Sequence, residues 1–125
     1  MSKLVTRFIV SVSLLLSAQF AWAHTALKQA TPAPDAVVAA VPTKIDLVFS
    51  ESVKLVKLQI MASDHEMPSS FAPNDTAQAE FSFETPGMHP GTFTVNWSVL
   101  GADGHPGNNS YKFTVDQAAA GSAAN

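Results

Sequence analysis

The chain has 125 residues, enough for one domain, with seven Lys plus Arg against ten Asp plus Glu and no cysteine. Absence of cysteine excludes disulfides and thiolate metal sites, and the acidic balance argues against a nucleic-acid partner, which calls for a basic stripe. Imidazole, carboxylate, thioether and amine remain as metal donors.

The first element is a leader. Lys3 and Arg7 form a positive start, Phe8–Leu16 is apolar apart from Ser11 and Ser13, and Ala21-Trp22-Ala23 places small residues where a signal peptidase cuts. The apolar run is short of the roughly 20 residues that a spanning helix needs. Residues 1–23 are therefore expected to be a cleavable signal peptide, and the exported protein to begin at His24. That mature chain has 102 residues with five Lys and ten acids, a formal charge of −5. Both basic residues of the leader leave with it.

Strand patterning dominates the mature chain. A strand around Ala26–Ala30 precedes breaks at Thr31-Pro32-Ala33-Pro34-Asp35 and Val41-Pro42. Ile45, Leu47 and Phe49 alternate with Asp46 and Val48, and Val56, Leu58 and Ile60 are expected to share the face of a separate strand. Turns come next at Met67-Pro68 and Ala72–Asp75, then a strand carrying Phe81 and Phe83, then a turn at Thr85-Pro86-Gly87. Gly91–Leu100 alternates best, with Phe93, Val95, Trp97 and Val99 on one side and Thr92, Thr94, Asn96 and Ser98 on the other. A loop is expected over Gly101–Asn109, and Tyr111, Phe113 and Val115 close the series. Six or seven short strands, each with one apolar face, predict an all-β, Ig-like antiparallel sandwich or barrel over residues 24–116. Such alternation argues against a parallel sheet, whose strands are buried on both faces. Residues 117–125 are small and unpatterned and are expected to be a disordered tail.

Two features carry chemistry together. Cleavage before His24 gives one residue both a free α-amine and an imidazole Nδ1, which close a six-membered chelate ring on a metal. Asp103-Gly104-His105-Pro106-Gly107 puts a carboxylate and an imidazole two residues apart in a Gly- and Pro-shaped turn. Three nitrogens and one oxygen suit Cu(II), which heads the stability order for such donors. Each feature also has a plain reading: a terminal histidine can be an ordinary exposed residue, and the loop an ordinary turn in which Asp103 bonds its own backbone.

From His24 to Val115 the sequence resembles the CopC/PcoC family of periplasmic copper-binding proteins. The resemblance rests on an ordered set: His24 with Leu27, Thr31-Pro32, Lys44–Phe49 running into Ser50-Glu51, Gly91–Trp97, Asp103–Pro106 and Tyr111–Val115. It implies a seven-stranded Greek-key β-barrel or sandwich and a Cu(II) site built from His24, Asp103 and His105, with Glu51 as a supporting acid nearby. It also implies a non-enzymatic, monomeric copper-binding protein of the periplasm that stores, buffers or hands copper to an inner-membrane copper transporter. Two other classes stay in view: a copper-dependent oxidative enzyme with an N-terminal histidine chelate, and a metal-free Ig-like interaction module. The sequence departs from the family's Met-rich Cu(I) loop, having only Met61, His65 and Met67 in that stretch. Met61 reads as core; Met67, His65, Met88 and His89 read as exposed; and no dedicated Cu(I) site is expected.

Overall fold

A computed structural model describes residues 26–119. The expected leader, His24 and residues 120–125 lie outside the described residues. Seven strands form: β1 (Leu27–Thr31), β2 (Val37–Val38), β3 (Lys44–Met61), β4 (Glu66–Met67), β5 (Gln78–Glu84), β6 (Gly91–Leu100) and β7 (Pro106–Val115). β1 and β5 flank the first half of β3, while β4 and β6 pair with its second half; β7 lies beyond β6. Because β3 serves both halves, one curled sheet encloses the core, and the all-β sandwich or barrel expected from the alternation is what forms. One pairing is parallel, Val37–Val38 against Thr114–Val115.

The two strands expected at residues 45–49 and 56–60 are one continuous strand. It pairs with β5 as far as Val53, with an irregular register between Val48 and Val53, and meets β6 from Lys54, with a second irregularity just after. The second irregularity, between Leu55 and Lys57, corrects the expected phase. Leu55, Leu58 and Ile60 are buried, whereas Val56 is exposed beside the exposed Lys57. An extra residue in one strand puts two consecutive side chains outward and resets the alternation, which a strict period of two does not anticipate. Asn74 secures this stretch from the β4–β5 connection. Its Oδ1 accepts from Leu55 N–H at 2.7 Å and its Nδ2 donates to the Val53 carbonyl at 3.2 Å.

Phe93, Val95, Trp97 and Val99 all point inward from β6, as their spacing requires, and meet Tyr111, Phe113 and Val115 of β7. Phe49 packs edge-on against Phe81 and Trp97, with ring centroids 5.8 and 6.1 Å apart, so it joins the two halves of the sheet. Two methionines expected at the surface are instead core: Met67 and Met88 are buried among these side chains. The thioether is apolar enough to fill the ends of the core where β4 and the β5–β6 turn close over it. Met61 is half-buried, His65 is exposed and His89 is half-buried. Beyond β7, residues 117–119 form a turn on Asp116, whose Oδ1 accepts from Ala118 N–H at 3.0 Å.

Candidate metal centre

The Asp103–His105 loop is a tight β6–β7 connection. Pro106 already pairs with Leu100, so the turn is Gly101–His105, shorter than the expected Gly101–Asn109. Gly107, Asn108 and Asn109 lack apolar alternation, but their backbones complete the ladder opposite Trp97–Val99. Two backbone bonds close the turn, Gly101 N–H to His105 O at 3.0 Å and Gly104 N–H to Gly101 O at 2.9 Å. Gly104 sits at φ +81°, a conformation disfavoured for residues with a Cβ, and this brings Asp103 and His105 to the same side.

Asp103 then holds His105 twice. Oδ1 accepts the His105 backbone N–H at 3.0 Å, and Oδ2 lies 2.8 Å from His105 Nδ1. The backbone bond first, then the ring bond and the histidine charge, hold the Asp103 carboxyl below its ordinary range. A carboxylate only accepts, so Nδ1 carries the proton and the Nε2 lone pair is left for a metal. The His105 side chain is 82% exposed, so nothing bars an ion from reaching it.

The start of the described chain lies in the same region. Ala26 N–H donates to Ser50 Oγ at 3.0 Å, and Ser50 N–H donates to Ala26 O at 2.8 Å. The second bond extends the β1–β3 ladder beyond Leu27 and Phe49. Ala26 and Leu27 share a cleft of about 250 Å³ with Trp97, Val99, Gly107, Asn108 and Asn109. Glu51, next to Ser50, is exposed at the point where β3 passes between the two halves of the sheet. The fold therefore joins Asp103 to His105 and anchors residue 26 in a cleft lined by residues just past that loop. His24 lies outside the described residues. Among the described residues no three His, Asp or Glu side chains gather as a metal cluster. Ser50 and Trp97 are the contributors that sequence reasoning did not assign to this region. Ser50 had a signal in its place between Phe49 and Glu51; Trp97 read only as core.

Against known proteins, residues 27–116 match the model of the CopC domain. The chain belongs to the CopC family. This CopC-family chain is 32% identical over 124 residues to Copper resistance protein C of Escherichia coli, covering 90% of this chain and 98% of that one. It is 33% identical over 99 residues to Protein YobA of E. coli K12, covering 75% and 80% respectively. Among solved structures it is similar to CopC from Methylosinus trichosporium OB3b, with TM-score 0.63, 28% identity and coverage of 74% and 94%. It is likewise similar to PcoC, described as a methionine-rich copper resistance protein from E. coli, with TM-score 0.61, 28% identity and coverage of 75% and 100%. Unlike a methionine-rich chain, this CopC-family member has four methionines in total, Met1 among them, and two of the other three are buried.

Proposed function

We propose that this protein binds one Cu(II) ion in the periplasm, for storage, buffering or delivery to an inner-membrane copper transporter. Residues 1–23 are a signal peptide in this reading, and the domain over residues 24–116 acts as a non-enzymatic monomer. The ligands are the α-amine and Nδ1 of His24 with Asp103 and His105, and Glu51 supports the site from the β3 crossing. The observation that carries the proposal is the Asp103–His105 pair, which holds an exposed imidazole by its Nδ1 on a closed turn. Supporting it, Ala26 is tied to Ser50, and two residues of extended chain reach at most about 7 Å from that anchor. Membership in a family that includes copper resistance proteins favours copper as the ion. Bound there, Cu(II) would be cargo. The chain's own part is to present the imidazole, to keep its Nδ1 protonated and to supply negative charge close by.

The test is to change the terminus alone. Intact mass of the exported protein is expected to give His24 as first residue. Adding one residue ahead of it turns the amine into an amide nitrogen without a free lone pair at neutral pH, while the imidazole remains. The apo-protein should keep its β-sheet circular dichroism and melting temperature, and Cu(II) affinity should fall at least a hundredfold, about 2.7 kcal/mol. An extended protein that binds as tightly as the parent, with the same copper spectrum, would remove His24 from the site.

A further inference from the structure

We infer that the outer face of β3, β6 and β7, at the end that carries the Asp103–His105 turn, is a docking surface for an anionic phospholipid bilayer. The surface is independent of the Cu(II) reading above. On β6 the inward residues are Phe93, Val95, Trp97 and Val99, so Asn96, Ser98 and Leu100 point outward. Cross-strand partners share a face of the sheet. Leu100 pairs with Lys54 on one side and Pro106 on the other, Ser98 with Lys57 and Asn108, and Asn96 with Gln59 and Ser110. These three rows hold no Asp or Glu, in a chain that carries ten. Lys112 follows one row further, opposite Thr94. Three of the five lysines after residue 23 thus share this face, all of them exposed.

The opposite outer face has the reverse charge. There β3 and β5 present Asp46, Glu80 and Glu84 against Lys44, because Ile45, Leu47, Phe81 and Phe83 point inward. Packed sheet layers stand about 10 Å apart, and their outward side chains lie further apart still. At about 0.15 M salt a charge is screened within about 8 Å, so a surface laid against β3, β6 and β7 meets the lysines and not those acids. Asp103, in the turn beyond Leu100, is engaged with His105, and Glu66 stands at the far corner beside Met61.

Two further features point to a bilayer. Val56 and Leu100, 43% and 36% exposed, are two of the three large apolar side chains exposed among the described residues. Both lie at this end. The irregularity between Leu55 and Lys57 turns Val56 outward, and Leu100 with the exposed Pro106 completes the ladder before the turn. Across the rows runs an open trough of about 500 Å³, whose lining includes Lys57, Gln59, Asn96, Ser98 and Asn108. The last four make no side-chain hydrogen bond among the described residues, so their amides and hydroxyl are free to meet headgroup oxygens. A protein partner calls for an aromatic or apolar centre, whereas this face is amide and hydroxyl at its centre and apolar at one end. Lysines over phosphates, with a few apolar side chains reaching the headgroup boundary, are how a peripheral protein lies on an anionic leaflet.

The experiment sediments the exported apo-protein, at about 0.15 M salt, with vesicles of equal parts phosphatidylglycerol and phosphatidylcholine, and with phosphatidylcholine vesicles alone. Binding is expected to the first and not to the second, and should vanish near 1 M salt, where screening acts within about 3 Å. A lysine close to an anionic leaflet is worth about fivefold in partitioning, so Lys54→Gln and Lys57→Gln should each weaken binding by that factor. Leu100→Ser should weaken it as well, with circular dichroism unchanged. Lys28→Gln removes the same charge from the other face, beside Glu80, and should leave binding as it was. Equal loss in Lys28→Gln, equal binding to both vesicles, or no binding at 0.15 M salt would overturn the proposal. So would tighter binding to soluble polyglutamate than to vesicles of equal charge, which would mark an acidic protein as the partner. Copper affinity is no part of the readout, so failure of the Cu(II) reading and failure of this one are told apart.

Discussion

Replacing Asp103 with Asn tests the carboxylate both as a ligand and as the support of His105. In the parent, Oδ1 accepts from the His105 backbone N–H and Oδ2 from the ring, at 3.0 and 2.8 Å. The amide of Asn retains an oxygen for the first bond, so the turn closed by Gly101 and Gly104 should survive. Its other group is an NH2, which donates and cannot face a protonated Nδ1. The imidazole must rotate away, which displaces the Nε2 lone pair, or move its proton to Nε2, which removes it. Loss of one such supporting hydrogen bond costs about 10–100-fold in metal affinity. Asp103→Ala loses the backbone bond as well, releases the turn and should weaken binding further. The assay is Cu(II) titration followed by quenching of Trp97, the sole tryptophan after residue 23, which lines the cleft with Ala26. Competition with a chelator of known affinity then places the three proteins on one scale. An Asp103→Asn protein with parental affinity and spectrum would refute the claim that the carboxylate governs the His105 ring.

The pH dependence of Cu(II) binding should come from nitrogen donors and not from Asp103. A carboxyl held below its ordinary value of 3.8 stays mostly ionised down to that pH, and its part in the turn is lost as pH falls on through the lowered value. Affinity should therefore decline between about pH 8 and 6, where an α-amine and imidazole take up protons; a decline that began only below pH 4 would point to the carboxylate. Tyr111 carries a buried hydroxyl with no hydrogen-bond partner among the described residues, and burial together with the Asp46 charge pushes its ionisation upward. An unsatisfied buried group costs about 1–3 kcal/mol, so Tyr111→Phe should leave stability in urea unchanged or raise it; a loss above 1 kcal/mol would reveal a partner for that hydroxyl. Met67→Leu and Met88→Leu should each cost less than about 1.5 kcal/mol in stability and leave copper affinity unaltered, since both sulfurs are core atoms. Competition with a Cu(I)-specific chelator checks the second half of that expectation.

Alternation along the chain sufficed to mark the strands of Phe81, Phe93 and Tyr111 and their inward faces, because a half-buried strand exposes every second residue to water. The Asp103–His105 loop was legible for a similar local reason. Two donors two residues apart in a Gly-Pro turn need no distant part of the chain to meet. What the alternation misassigned was decided by tertiary contacts. β3 is continuous because its two halves pair with different neighbours, and the extra residue near Val56 is a consequence of bending between them. Met67 and Met88 are buried because separate turns close over the core, which no local spacing encodes. The same holds for the contact of the His65 and His89 rings and for the Ala26–Ser50 clamp. These join residues 24 apart in sequence, the first through two turns that meet at one end of the sheet and the second through the β1–β3 pairing.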